Sequence, residues 1–542
     1  MYAESPSTTG FQVESTSWMN KKHSCHWVYL LLLVPFSFFI ISLFIPAAIS
    51  SDTGQGFLAL RGMLLGGAFN VIPSPDPKNI ANDVGTFITW WSPGQYLAPG
   101  LFVWLGATYG LAVSLTALIA GIIGVLGWIR IARGFDVSTF VLFLFVTGLV
   151  TFHYATDPFR AYIGGEVILF AILPWFLSAL RWGIQARPPA AFTVSVVSAA
   201  LLFFAKLSGL VAFVVTVGAL SLLEISTQRR ITSSLLAIWG GAAVAALFLY
   251  FFWLGHGATP ISGAHYAFTW PAISFPIEGA VFSAVTTQGL AEWLFMRPPA
   301  PILSSSTTVS YVLAPLGGVL MGWVWFVLRN TPYRAMVIFM FLIIALYIAA
   351  FFIIYVRDAG TVAFVERYFR YPGLLSFLLL LVAADQCRRR LAKAITIVII
   401  GMFSVYGLAS YANTARKSVR NRQYDQASGT SMQFISPVVL QYLRSEMATH
   451  NWRHAVVAMG GPQGALGLPN YRILSSFSFT DEASLEGIAR QKWAGRTDRI
   501  FVVLDEKMLA DAKAEAVLKT FVDYNYDAWS QKAIDGAIVY FQ

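Results

Sequence analysis

His26-Trp27-Val28-Tyr29-Leu30-Leu31-Leu32-Leu33-Val34-Pro35-Phe36-Ser37-Phe38-Phe39-Ile40-Ile41-Ser42-Leu43-Phe44-Ile45-Pro46-Ala47-Ala48-Ile49-Ser50-Ser51-Asp52 is the stretch that decides what kind of molecule this is. Its apolar core runs about 23 residues, and a helix needs roughly 20 to cross the hydrocarbon core of a bilayer. Lys21-Lys22 precede it, and Asp52 stands where the chain leaves the bilayer. Ala48 and Ser50 form a small-residue pattern like that of a cleaved leader, but leader cores run only roughly 7–15 residues. The length predicts an uncleaved first helix.

Similar runs recur as far as about Asn413. The chain has 542 residues, 57% of them hydrophobic and 12% charged, whereas soluble domains carry roughly 25% charged residues. This excludes an ordinary soluble enzyme and predicts a polytopic α-helical membrane protein. The net charge of +10 does not indicate nucleic-acid binding, because it falls in short clusters between apolar runs: Arg130 and Arg133, Arg181 and Arg187, Arg229-Arg230, Arg329 and Arg334, and Arg388-Arg389-Arg390. Such clusters at alternate helix ends report topology. Cys25 and Cys387, the two cysteines, both fall in expected cytoplasmic flanks and point to neither a disulfide framework nor a thiol mechanism.

Placing the basic clusters in the cytoplasm gives a path of about eleven transmembrane helices. They are expected over about 27–49, 109–129, 137–153, 164–180, 191–204, 208–224, 232–254, 309–328, 335–356, 371–386 and 392–411. The fifth and sixth come from one long run that Lys206 interrupts. A lysine at the bilayer centre costs at least about 2.5–3.5 kcal/mol, so two short helices meeting at Lys206 are expected instead. The organisation is then a cytoplasmic tail over 1–26, a transmembrane domain over 27–412 with outer loops 50–108 and 255–307, and an extracytoplasmic α/β domain over 413–542. In that last domain, β-rich runs at 455–459, 500–504 and 537–541 alternate with helical stretches at 482–491 and 507–521. Gly460-Gly461-Pro462-Gln463-Gly464 lacks the Lys-Ser/Thr of a phosphate loop and reads as a glycine turn.

The polar residues of interest map to the outer side. Asp52 and Arg61 lie in the first loop, followed by Asp157, Arg160 and Glu166, then Lys206 at its corner, His256 and His265 in the second long loop, and Arg367, Tyr368 and Arg370 before the tenth helix. Ionisable groups at or inside a bilayer are functional candidates by default. A carboxylate among cations suits a hydroxyl attacking a phosphate-activated carbon: the carboxylate takes the proton, and the cations stabilise the departing phosphate. Each has a structural alternative. Asp52 would cap the Thr53–Leu65 segment, Lys206 would snorkel to headgroups, Arg367 and Arg370 would anchor a helix, and Glu166 would pair with Arg160 or Lys206. His256 and His265 stand nine residues apart without a neighbouring cluster, so no metal site and no cofactor is indicated.

Five elements, in order, carry a family resemblance: Ser51-Asp52-Thr53-Gly54 opening the first loop, Trp91-Ser92-Pro93-Gly94-Gln95-Tyr96-Leu97, Leu105-Gly106-Ala107-Thr108-Tyr109-Gly110, Ala205-Lys206-Leu207-Ser208-Gly209, and Arg367-Tyr368-Phe369-Arg370-Tyr371-Pro372. Across about 27–411 the chain resembles GT-C-type integral membrane glycosyltransferases of the protein mannosyltransferase and lipid A aminoarabinose transferase kind. The resemblance implies a GT-C-like fold and inverting transfer from a polyprenyl-phosphate sugar to a lipid-linked glycan, lipid or protein acceptor at the outer face. It implies Asp52 as general base, with Lys206 and Arg367 or Arg370 near the donor phosphate. Tyr368, Glu166, Asp157, Arg160, Arg61, His256 and His265 are weaker substrate-binding candidates. Two departures stand out: Thr53 replaces the second acid of an Asp-Glu pair, and Trp90-Trp91 is followed by Ser92 rather than Asp.

Two other classes remain open: a flippase or transporter for polyprenyl-linked glycans, and a glycan polymerase or ligase. Transporters usually carry internal repeats and midplane helix breaks; here the polar groups gather at one face. The expected location is a cell inner (cytoplasmic) membrane, N-terminus inside, with an endoplasmic-reticulum membrane as the alternative.

Overall fold

The computed structural model describes residues 26–257, 266–296, 306–358, 362–387 and 390–542. The first apolar run begins as a 3-10 segment, His26–Leu32, and continues as α1, Leu33–Ser42. The expected span over 27–49 therefore stops seven residues early. Pro46 has no amide hydrogen to donate and disfavours helix just before it, and Ala48–Ile49 form strand β1 instead. α2, Ser51–Leu64, follows at once. Its N-cap is Ser50, whose Oγ accepts from the Thr53 amide at 3.3 Å, so Asp52 is not the cap.

A hairpin of β2, Val71–Asp76, and β3, Asn79–Phe87, leads to α3, Gly94–Trp104, and α4, Tyr109–Arg133. α5, Thr139–Thr151, breaks at Phe152 and continues as the short α6, His153–Thr156, bent by 50°. After β4, Ala161–Tyr162, come α7, Gly165–Gln185, α8, Pro188–Ala205, and α9, Leu207–Gln228. α8 and α9 part where expected: Lys206 is extended, with φ −167° and ψ 148°. The N-terminus of α7 abuts this corner because Gly165 has no side chain; a Cβ there would lie 1.9 Å from the Ala205 carbonyl oxygen.

α10, Ser233–Phe252, is followed by a region that differs from the plain outer loop expected over 255–307. Among its described residues are α11, Trp270–Phe282, and α12, Thr287–Phe295. α11 is drawn inward because Phe275, 1% exposed, packs edge-on against Tyr355, Phe364 and Phe369. α13, Ser310–Leu328, α14, Arg334–Arg357, α15, Arg370–Gln386, and α16, Arg390–Arg420, complete the bundle. α16 runs past the compositional change near 413, which falls inside a helix. Among the described residues, nine helices are long and apolar enough to cross a membrane, ten if α5 and its bent continuation count as one. The molecule is a polytopic α-helical protein.

Beyond the bundle, β5, Tyr424–Asp425, and β6, Thr430–Ser431, join the earlier strands in a small sheet ordered β4-β1-β6-β5. α17, Pro437–His450, then precedes β7, Val456–Met459, β8, Arg472–Ser475, β9, Ile500–Asp505, β10, Ser530–Ile534, and β11, Ala537–Phe541. These form a second sheet ordered β10-β11-β9-β7-β8, in which β8, β7 and β9 run parallel. Val457, Phe501 and Val539 face one hydrophobic core, and Val456, Val502 and Tyr540 face the other, the alternation of a strand buried on both faces.

Candidate active site

Four charges from four separate stretches meet at the α8–α9 corner. Arg367 Nη2 donates to Asp52 Oδ2 at 3.1 Å, and its Nε lies 3.6 Å from Glu166 Oε1. Lys206 Nζ bonds the same Glu166 oxygen. The result is a line of alternating charge, Asp52–Arg367–Glu166–Lys206. The Tyr368 ring lies beneath both cations, 5.0 Å from Lys206 Nζ and 5.7 Å from the Arg367 guanidinium.

Local structure explains the meeting. Asp52 sits in the first turn of α2, where a carboxylate also complements the helix dipole. Glu166 holds the same place in α7, brought against the corner by Gly165. Lys206 occupies the break between two candidate spans, where burial pulls its ammonium below the ordinary lysine range and Glu166 opposes that pull. Asp52 is the open end, its side chain 52% exposed, while those of Glu166 and Lys206 are each 13% exposed.

The other candidates are placed differently. Arg370, one turn beyond Arg367, donates to the Ser283 carbonyl and to Thr286 Oγ1, the latter at 3.1 Å, and stacks over Tyr154. It does not join the line of charge. It does line a chamber of about 360 Å³ that shares the Glu166–Arg367 wall and is also bounded by Asp157, His153 and Glu366. Arg160 Nε donates to Asp157 Oδ1 at 2.8 Å and Nη1 to Thr414 Oγ1 at 3.2 Å, which fixes Asp157 at the chamber edge.

Arg61 lies elsewhere. Its Nη2 faces the carbonyls of Leu468, Pro469 and Tyr471 at 2.9, 3.0 and 2.6 Å, so the guanidinium is spent on the C-terminal unit. His256 closes the 3-10 turn Leu254–His256 that follows α10, beside Phe87 with ring centroids 5.9 Å apart, away from the charged line. His265 lies outside the described residues. Among the described residues, no group of three or more His, Cys, Asp or Glu side chains forms a metal-holding cluster.

One polar group escaped the sequence reading. Thr287 Oγ1 lies 2.6 Å from Glu278 Oε1 and 2.5 Å from Glu366 Oε1. A hydroxyl has a single proton to donate, so the pair must keep a carboxyl proton of its own. Burial, and then the Glu366 charge, push the Glu278 carboxyl above its ordinary range. An acid inside the apolar run Ala272–Phe282 was the available signal.

No family model matches the chain, and no curated protein matches it in sequence. Solved structures do match in fold. ArnT of Cupriavidus metallidurans, a lipid A aminoarabinose transferase solved with undecaprenyl phosphate, superposes with a TM-score of 0.51 at 12% identity, over 96% of this chain and 98% of that one. Its apo form gives 0.48 at 12% identity, over 95% and 98%. The arabinofuranosyltransferase AftD from Mycobacteria gives 0.47 at 13% identity, over 95% of this chain but 40% of that one. The fold is the GT-C fold of membrane glycosyltransferases.

Proposed function

We propose that the protein is an inverting glycosyltransferase that moves a sugar from a polyprenyl-phosphate donor to an acceptor hydroxyl on a lipid-linked glycan, a lipid or a protein. The observation that carries this reading is the line Asp52–Arg367–Glu166–Lys206: an exposed carboxylate at one end, and two cations behind it held by one buried carboxylate. Asp52 takes the proton of the acceptor hydroxyl as that oxygen attacks the anomeric carbon. The bond from that carbon to the phosphate oxygen breaks on the opposite face, and the departing phosphate keeps the electron pair. Arg367 and Lys206 meet the growing charge in a partly buried site, where such stabilisation is strongest. Their present partners are carboxylates, which an anionic phosphate can replace.

The lipid chain has a matching surface. A groove of about 1060 Å³ between α3, α4, α7 and α8 is lined by apolar side chains such as Leu101, Ile123, Trp175 and Leu201. The donor class follows the undecaprenyl phosphate bound by ArnT, whose fold this chain shares. In this reading the charged corner opens on the outer face of a cell inner membrane, the tail over 1–26 is cytoplasmic and the C-terminal α/β unit is extracytoplasmic.

The test is Asp52→Asn in detergent-purified full-length protein, with release of undecaprenyl phosphate from a panel of undecaprenyl-phosphate sugars as the readout. Turnover in the wild type, lost in the variant with donor binding retained, is expected. A variant that turns over like wild type removes Asp52 as the base.

A further inference from the structure

In the C-terminal unit, β7 lies between β8 on one side and β9 on the other. In open α/β sheets, ligands bind outside the carboxyl ends of the strands where the winding changes direction. The loop leaving β7 at that point is Gly460-Gly461-Pro462-Gln463-Gly464, which turns through a 3-10 segment, Pro462–Gly467. Its occupant is α2 itself, the helix that carries Asp52. Gly54, two residues past Asp52, is pressed on this loop so closely that a Cβ would lie 2.9 Å from Pro462 Cγ and 3.3 Å from the Gln463 amide nitrogen.

The same unit holds both ends of the helix. At its far end, Arg61 faces the three carbonyls that follow the 3-10 segment. Ahead of it, β1 pairs with β6, Ala48 opposite Ser431, and Ser431 Oγ donates to the Pro46 carbonyl at 2.6 Å. The hairpin after α2 is stitched on as well: Ile80 N donates to Ala494 O at 2.8 Å, and Arg472 Nε to Asp83 Oδ1 at 3.0 Å.

We infer that the C-terminal unit is a positioning element of the transfer reaction, with Pro462 and the Arg61-bound carbonyls seating α2 so that Asp52 stands against Arg367. Pro462, Gly54 and Arg61 are positioning residues that act through Asp52. The inference rests on the transferase reading. Small displacements of a reacting group cost turnover more than binding, on the order of a hundredfold for 1 Å.

The experiment compares wild type, Gly54→Ala, and Gly54→Ala combined with Pro462→Ala, all full-length. Turnover is read as undecaprenyl phosphate released from the undecaprenyl-phosphate sugar panel, and affinity is read with undecaprenyl phosphate alone. Gly54→Ala is expected to lower kcat roughly tenfold to a hundredfold with affinity unchanged, and removal of Pro462 Cγ in the double variant is expected to restore most of it. Wild-type kcat in Gly54→Ala overturns the inference, as does a loss that the double variant does not relieve. If Gly54→Ala does not fold, Arg61→Met reads the seat from its other end. Methionine keeps an unbranched stem and removes the Nη2 that faces all three carbonyls, so a fall in kcat with affinity unchanged is expected, and unchanged kcat overturns the inference. A wild type that releases nothing from any donor overturns the transferase reading and this inference with it; an active wild type with equally active variants overturns only the inference.

Discussion

Arg367 and Arg61 are both cations beside α2, yet they belong to two regions built on different physics. At the α8–α9 corner, Arg367 lies between two carboxylates, Asp52 and Glu166. At the seam with the C-terminal unit, Arg61 is 7% exposed and faces three neutral carbonyls. A cation held by carboxylates can exchange one anion for another, so a phosphate entering the corner finds partners already placed. A cation held by backbone carbonyls cannot leave without stranding them unsatisfied. On the proposed reading the corner serves exchange, while the seam is permanent. Reading both arginines as site residues from sequence missed this, because the residue type is the same and only the partner differs.

The largest effect that sharpens this contrast is at Asp52. Asp52→Asn should lower turnover by roughly 10²–10⁴-fold, the usual contribution of a positioned base, measured as undecaprenyl phosphate release. Equal turnover breaks the assignment of the corner as the reaction site. Next, Arg367→Gln should lower turnover by roughly 10²–10³-fold, as for removal of one donor to a developing charge, while the melting temperature holds. A large melting loss with only a modest fall in turnover would make Arg367 the same kind of residue as Arg61.

Arg61→Gln should show the reverse balance. Losing its contacts to buried carbonyls should cost about 1–3 kcal/mol of stability, read as a lower denaturation midpoint, with a smaller fall in turnover than Arg367→Gln causes. The smallest effect is expected at Tyr368. Tyr368→Leu removes the ring beneath Lys206 and Arg367, worth about 0.5–2 kcal/mol, and should weaken undecaprenyl phosphate binding by at most about 30-fold. A loss in turnover larger than that of Arg367→Gln would give the tyrosine a part in the chemistry itself.

Much of the bundle was legible because its signals are local. The break at Lys206 follows from the cost of a buried ammonium, and the long helices follow from apolar runs bounded by basic clusters. Local reading failed where a competing contact lay far off in sequence. Pro46 marks the end of the first span locally, but that the chain continues as a strand is decided by Ala48 pairing with both Ala161 and Ser431. The loop over 255–307 hid α11 because its apolar residues look like interfacial anchors until Phe275 meets the aromatic residues of α14 and the segment preceding α15.

The sequence by itself determined the membrane class, most of the long helices and the split corner at Lys206, since hydropathy, charge and helix breaking act over one or two turns of chain. Only the tertiary structure decided which candidates work together. Arg367 reaches Asp52 across 315 residues, Arg61 reaches Leu468 across 407, and Lys206 reaches Glu166 across 40. A long-range ion pair leaves no periodic trace in the chain, because its energy depends on where two side chains end up after folding and not on what surrounds either one in sequence.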